Sequence, residues 1–116
     1  MIDLQREARK LIENGMYRAG VAMVGILLEH SLRHLLLKNE LLVTCVSGQM
    51  MRHMSLGRMI ESLANSEIIT RDEVGSLREA IMLRNRAVHE LAEPTKADAF
   101  RMIDHLEAFI RKYIKT

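Results

Sequence analysis

The chain has 116 residues, close to the commonest size of one domain, so we expect one hydrophobic core rather than a multidomain enzyme. Hydrophobic residues make up 48% and aromatic residues 3%, which argues against a disordered chain and against an aromatic-rich β-sandwich or barrel. The formal net charge of +2 creates no strong electrostatic attraction to nucleic acid or anionic lipid, so any RNA contact must depend on a local group of charges. The single cysteine, Cys45, cannot form an internal disulfide.

Two helices are predicted first along the chain, over residues 3–14 and about 16–38, from apolar residues at helical spacing. The middle of the second is apolar on every side, which is typical of a helix surrounded by neighbours. Gly20 and Gly25 each cost about 1 kcal/mol relative to alanine, which predicts close packing against another helix or subunit. The uncharged run 19–28 is too short to cross a bilayer and the charged N-terminus is unlike a signal peptide, so we expect a cytoplasmic protein without a membrane partner.

The second half of the chain begins with a segment that lacks helical periodicity. Residues 39–54 are predicted as a loop with a short extended piece, and a short amphipathic helix follows over about 55–66. Thr70 and Glu73 match a capping box, which opens a fourth helix reaching about residue 90.

The last helix is predicted to begin at Thr95, directly after the only proline, and to run to the C-terminus. The resulting fold class is all-α, an antiparallel bundle of four or five helices with short connections. We expect residues 1–116 to form a single domain, since no internal repeat or low-complexity segment divides them.

An arginine interrupts the predicted apolar face of the fourth helix. That face is predicted to consist of Val74, Leu77, Ile81, Val88 and Leu91. Arg84 occupies the position where a leucine is expected, and Asn85 flanks it, so both are predicted to be half-buried. A buried, unpaired charge costs several kcal/mol, so Arg84 needs a carboxylate, a phosphate or a water-filled cleft. His89 follows Asn85 by one turn, so the three side chains could present a cation, an amide and an imidazole to one small volume.

The same residues also fit a structural role. Arg84 could pair with Glu29 or another carboxylate at the edge of the core, while His89 caps the end of its helix, where the macrodipole favours a cation. Spacing alone favours this explanation, because structural ion pairs are commoner than catalytic ones.

Two histidines of the second predicted helix have the spacing of metal ligands. His30 and His34 stand one turn apart, with Glu29 adjacent in sequence, but the same face lacks a third ligand. We therefore predict no metal site, and no motif indicates a cofactor.

The segment LRNRAVH, residues 83–89, resembles the signature of HEPN domains, in which an arginine, commonly followed by asparagine, precedes a histidine by four to six residues. The similarity covers about two-thirds of the chain, roughly residues 18–90, and includes the stretch GILLEHSLRHLL of the second predicted helix. The chain is similar to HEPN-like domains of the mannitol-repressor type and to several uncharacterised bacterial relatives.

The resemblance implies a helical bundle that often dimerises, with two motif helices facing each other across a twofold axis. Active members are metal-independent endoribonucleases that leave 2′,3′-cyclic phosphate and 5′-hydroxyl ends. By this resemblance His89 transfers protons, as an imidazole can near neutral pH, and Arg84 holds the phosphate. Asn85 would orient the histidine or bind the phosphate, Arg86 would add an RNA contact, and Glu29 would neutralise or position Arg84.

Three functional hypotheses follow. The first is an endoribonuclease, acting as a toxin or phage-defence effector through Arg84 and His89 of each subunit of a homodimer, with the two His89 side chains lining one solvent-open groove. Leu91 stands where many HEPN toxins carry an adenylylated tyrosine, so control by an antitoxin would have to act through binding. The second is a non-catalytic HEPN-like regulatory module that binds a protein, nucleotide or nucleic acid. The third is purely structural packing.

Overall fold

The computed structural model describes residues 2–41, 54–90 and 93–114, and the structural observations below concern these residues. They form five helices: α1 (Ile2–Glu13), α2 (Tyr17–Lys38), α3 (Leu56–Asn65), α4 (Arg71–His89) and α5 (Lys96–Tyr113). The described residues contain no strand, which confirms the predicted all-α fold. Most of the loop predicted over residues 39–54, and Cys45 with it, lies outside the described residues.

Helix α2 is the centre of the bundle and packs against all four other helices. Its buried apolar residues are Val21, Val24, Leu27, Leu28, Leu32, Leu35 and Leu36. The whole helix is long and apolar enough to span a membrane, although the uncharged run 19–28 alone is not. However, 56% of its most apolar 18-residue stretch is buried inside the bundle. That burial is what the central helix of a bundle requires, because its apolar residues face neighbouring helices on several sides.

The two glycines of α2 lie at close helix contacts, as predicted. A Cβ atom added to Gly20 would overlap with Cγ1 of Ile12 in α1 and would lie 3.4 Å from the carbonyl oxygen of Ala8. Gly25 makes the equivalent close contact with a side chain of α4. The missing side chains therefore offset their unfavourable helix propensity by allowing α1 and α4 to approach α2.

The capping box predicted at the start of α4 is present. The hydroxyl of Thr70 accepts a hydrogen bond from the backbone N–H of Glu73 at 3.2 Å, and the Glu73 carboxylate accepts one from the backbone N–H of Thr70 at 2.8 Å. The same carboxylate accepts hydrogen bonds from the Tyr113 hydroxyl and, at 2.9 Å, from Nζ of Lys112. Glu73 therefore joins the N-terminus of α4 to the C-terminus of α5.

These contacts determine the pKa of Glu73. Burial raises it, but the hydrogen bonds from the Thr70 backbone, the Tyr113 hydroxyl and the Lys112 ammonium outweigh burial and lower the pKa to about 2 from an ordinary 4.5. A carboxyl group whose pKa falls on folding stabilises the folded state above its unfolded pKa. That stabilisation is lost as the pH falls toward the folded-state value.

Glu73→Gln is expected to lower the free energy of unfolding by about 1–3 kcal/mol near pH 7, since a hydrogen bond to a charged group is worth more than a neutral one. Glutamine can still accept the Thr70 N–H bond, so the variant isolates the charge. Urea unfolding of both proteins should show the difference shrinking between the ordinary pKa of 4.5 and the folded-state pKa of about 2. A difference that does not change with pH would contradict this account.

The buried face of α4 differs from the predicted one. Its buried residues are Val74, Leu77, Ala80, Leu83 and Ala87. Ile81 is half-buried and Val88 is 51% exposed, whereas Leu91 lies outside the described residues. The prediction overlooked Leu83 and the two alanines, Ala80 and Ala87. The small side chains of the alanines let α4 approach its neighbours, while Ile81 and Val88 lie on the flank.

Candidate functional site

Arg84 lies where α4 crosses the central helix. Its side chain is half-buried, as predicted, and its aliphatic stem rests on Gly25 of α2. A Cβ atom at position 25 would overlap with Cγ of Arg84 and would lie 3.0 Å from its Cδ. The glycine thus provides the space that the arginine stem occupies, and α2 and α4 together fix where the guanidinium begins.

The polar end of Arg84 has no protein partner among the described residues. Its Nε atom is buried without a hydrogen bond, and no described carboxylate lies within ion-pair distance of the guanidinium. Glu29 instead lies 3.5 Å from Nη1 of Arg33, one turn further along α2. The predicted pairing of Glu29 with Arg84 is therefore absent, and no other described residue pairs with the guanidinium.

Three other predicted site residues meet in a different place, an open groove between the first turn of α3 and the outer face of α4. The groove has a volume of about 580 Å³. Its lining residues are Gly57, Arg78, Ile81, Met82, Asn85, Arg86, His89 and Glu90. Asn85 is exposed rather than half-buried, because its position on α4 is turned away from the packed face; Arg86 and His89 are exposed as well.

The groove carries more positive than negative groups. Two arginines, Arg78 and Arg86, line it together with a single carboxylate, that of Glu90. The guanidinium of Arg78 also bonds Glu61 of α3 at the margin. Within the described part of the chain, no carboxylate lies within ion-pair distance of Arg86. An anionic ligand would therefore meet at least one unneutralised guanidinium.

The two principal motif residues point in different directions within one chain. Positions 84 and 89 are separated by about 140° around a helix with 3.6 residues per turn. Accordingly, Arg84 contacts α2 while His89 lines the outer groove. One subunit brings together Asn85, Arg86 and His89 but does not add Arg84 or Glu29 to that group.

Sequence reasoning did not assign five of the eight lining residues to a site, among them Arg78 and Gly57. Arg78 could have been found, since Arg78, Met82, Asn85 and His89 recur at intervals of three and four and form one exposed face of α4. Gly57 carried no signal in the sequence. Its relevance depends on how α3 packs beside α4, which only the tertiary fold determines.

The histidines considered as metal ligands do not form a site. His30 and His34 are both exposed on α2. Across the described ranges, no group of three or more His, Cys, Asp or Glu residues is placed to hold a metal ion.

Comparison with known families supplies a classification. A family model described as "Domain of unknown function (DUF4145)" matches residues 6–116. The chain belongs to this family. The DUF4145 match includes most of α1 and all of α2–α5, so the Arg84 contact and the groove both lie within the family domain. No curated protein and no solved structure matches the chain.

Proposed function

We propose that this protein is a metal-independent endoribonuclease of the HEPN type that works as a homodimer. In this reaction the ribose 2′-oxygen attacks the adjacent phosphorus and its proton passes to the imidazole of His89. The bond from phosphorus to the 5′-oxygen breaks, and a water molecule donates a proton to the leaving oxygen. The imidazolium of His89 then returns its proton to the hydroxide that remains. The products are a 2′,3′-cyclic phosphate and a 5′-hydroxyl end. Arg84 binds the phosphate and stabilises the negative charge that develops on its oxygens.

The observation that carries the proposal is the state of Arg84. Arg84 is half-buried at a helix crossing, and its buried Nε has no hydrogen-bond partner among the described residues. This N–H group stays unsatisfied unless something else binds it. A phosphate satisfies several guanidinium N–H groups at once. The amide of Asn85 and the imidazole of His89, which line the outer groove, supply the other groups that the resemblance assigns to cleavage.

The homodimer is supported by the surface beside Arg84. Ile26, next to Gly25 on α2, is 59% exposed, and Val88, one turn after Arg84 on α4, is 51% exposed. Pairing of two copies through this face would cover both apolar side chains. We expect the twofold interface to bring the Arg84 of one chain toward the His89 of the other, since a single chain keeps the two apart.

The test is cleavage of a defined RNA by the purified protein in the presence of EDTA. The proposal expects products with 2′,3′-cyclic phosphate ends, formed at a rate that falls when dilution dissociates the dimer. Absence of cleavage by a folded dimer, or products with 3′-hydroxyl ends, would contradict it. A toxin or phage-defence role in the cytoplasm, controlled by a bound antitoxin, further predicts that expression slows growth in proportion to cleavage.

One observation favours a second candidate, a non-catalytic module that binds a nucleic acid, a nucleotide or a protein. Arg84 and His89 lie on different faces of α4, so a single chain has a binding groove without a complete catalytic pair. A stable monomer that binds RNA without cutting it would establish this candidate in place of the nuclease.

A further inference from the structure

We propose that the groove between α3 and α4 holds one single strand of RNA alongside the cleavage site. The proposal rests on the proposed function, because it assigns the path of that enzyme's substrate. It adds Gly57, Arg78 and the Ile81–Met82 surface to the residues that meet the strand. None of these belongs to the arginine–histidine motif.

The first turn of α3 forms one side of the groove, and this side is open because a glycine lies there. Gly57 lines the groove, and a Cβ atom added there would meet nothing within 4 Å. A side chain at position 57 would therefore have free space beside the groove. The volume of about 580 Å³ lies within the range of ligand-binding clefts.

The spacing of the cations fits an extended polyanion. Arg78 and Arg86 lie eight residues apart on α4, which places them about 12 Å apart along the helix axis. Arg86 would contact one phosphate of the strand, and Arg78, whose guanidinium is paired with Glu61, would contact another through its remaining N–H groups. His89, less than one turn beyond Arg86, then lies at the end of this row, and the groove leads the strand toward the position that the mechanism assigns to cleavage.

The floor between the two arginines is apolar. Ile81 is half-buried and Met82 is 45% exposed, and both line the groove. A base turned away from the phosphates could lie against this surface, since methionine adapts to the shape of a flat partner. Apolar contact of this kind discriminates weakly between bases, so binding should depend on single-strandedness and charge more than on sequence.

Gly57 offers a test that leaves the motif untouched. Gly57→Glu, Gly57→Gln and Gly57→Lys would each project a side chain into open space, and glutamine serves as the uncharged control for size. A glutamate in the first turn of α3 is compatible with the helix dipole, so the fold should be retained. Circular dichroism and thermal unfolding of all three variants check this.

Affinity is measured with a fluorescent 2′-O-methyl RNA oligonucleotide, which lacks the attacking hydroxyl and cannot be cleaved by this mechanism. Relative to the size-matched Gly57→Gln variant, we expect Gly57→Glu to weaken binding about 3- to 10-fold and Gly57→Lys to tighten binding. The slope of log affinity against log salt should steepen by about 0.7 in the lysine variant, as one further phosphate is neutralised. A matched double-stranded RNA should bind less tightly.

The outcomes separate this proposal from the nuclease itself. Equal affinity of the Gly57→Glu and Gly57→Lys variants would overturn the groove path even if Arg84 and His89 prove essential for cleavage. If affinity depends on the charge at position 57 but ordinary RNA is not cleaved, the groove path would be supported and the proposed nuclease activity would be overturned. Failure of the wild-type dimer to bind the oligonucleotide, including failure because a protein occupies the groove instead, would overturn the RNA assignment.

Discussion

Mixed dimers of Arg84→Ala and His89→Ala subunits are expected to regain RNA cleavage that neither variant shows alone. Each single variant should lose about 10²- to 10⁴-fold in rate, the range for removing a charge-stabilising donor or a general acid–base group. When equal amounts of the two variants pair at random, half of the dimers are mixed. Each mixed dimer has two sites, of which one is complete. The mixture should therefore recover about a quarter of the wild-type activity.

The expectation follows from the divergence of the two side chains on α4. Arg84 contacts Gly25 of α2, whereas His89 lines the groove beside α3, so one chain does not direct both at a common phosphate. If the site takes its arginine from one subunit and its histidine from the other, a mixed dimer assembles one intact pair. Complementation of this kind does not arise when both groups come from the same chain.

The experiment requires subunits that are co-expressed or refolded together and a mixed dimer confirmed by differently sized tags. His30→Ala is the matched control, because His30 is an exposed histidine of α2 outside both the groove and the Arg84 contact. It should retain full activity. Mixed dimers as inactive as the single variants would show that the two residues act within one chain, and the composite site would be wrong.

Much of the bundle was predictable because its signals are local. The Thr70–Glu73 capping box and the apolar periodicity of each helix predicted the elements closely, since hydrogen bonds and side-chain spacing within a few residues determine them. The glycines of α2 also indicated close contacts correctly. What the sequence could not reveal was the partner of each glycine, because that depends on how α1 and α4 pack around α2.

The candidate site was predictable only in part, for a related reason. The half-burial of Arg84 followed from its position in an apolar pattern, but Asn85 was wrongly placed because Ala80 and Ala87, rather than Ile81 and Val88, define the packed face. Glu29 pairs with Arg33, its i, i+4 neighbour on the same helix, and not with Arg84 of α4. Which polar groups share a surface therefore depends on how the helices pack against one another.

A double-mutant cycle between Gly25 and Arg84 should reveal a strong coupling between α2 and α4. Gly25→Ala is expected to lower the free energy of unfolding by about 1–3 kcal/mol, since its Cβ would overlap with Cγ of Arg84, a stem atom that cannot move far. Gly75→Ala is the matched control: Gly75 lies exposed on α4 and its Cβ would meet nothing within 4 Å. That substitution should stabilise the protein by about 0.5–1 kcal/mol.

Removing the arginine stem should relieve the overlap. In the Arg84→Ala background the closest atom to the methyl at position 25 would be Cβ of residue 84, at 3.2 Å, so Gly25→Ala should become nearly neutral. The resulting coupling of about 1–3 kcal/mol is measurable by urea unfolding of the four proteins. Additive effects would mean that Arg84 does not rest on Gly25.

Because the glycine determines where the guanidinium lies, Gly25→Ala should also reduce RNA cleavage under conditions in which the variant remains fully folded, whereas Gly75→Ala should not.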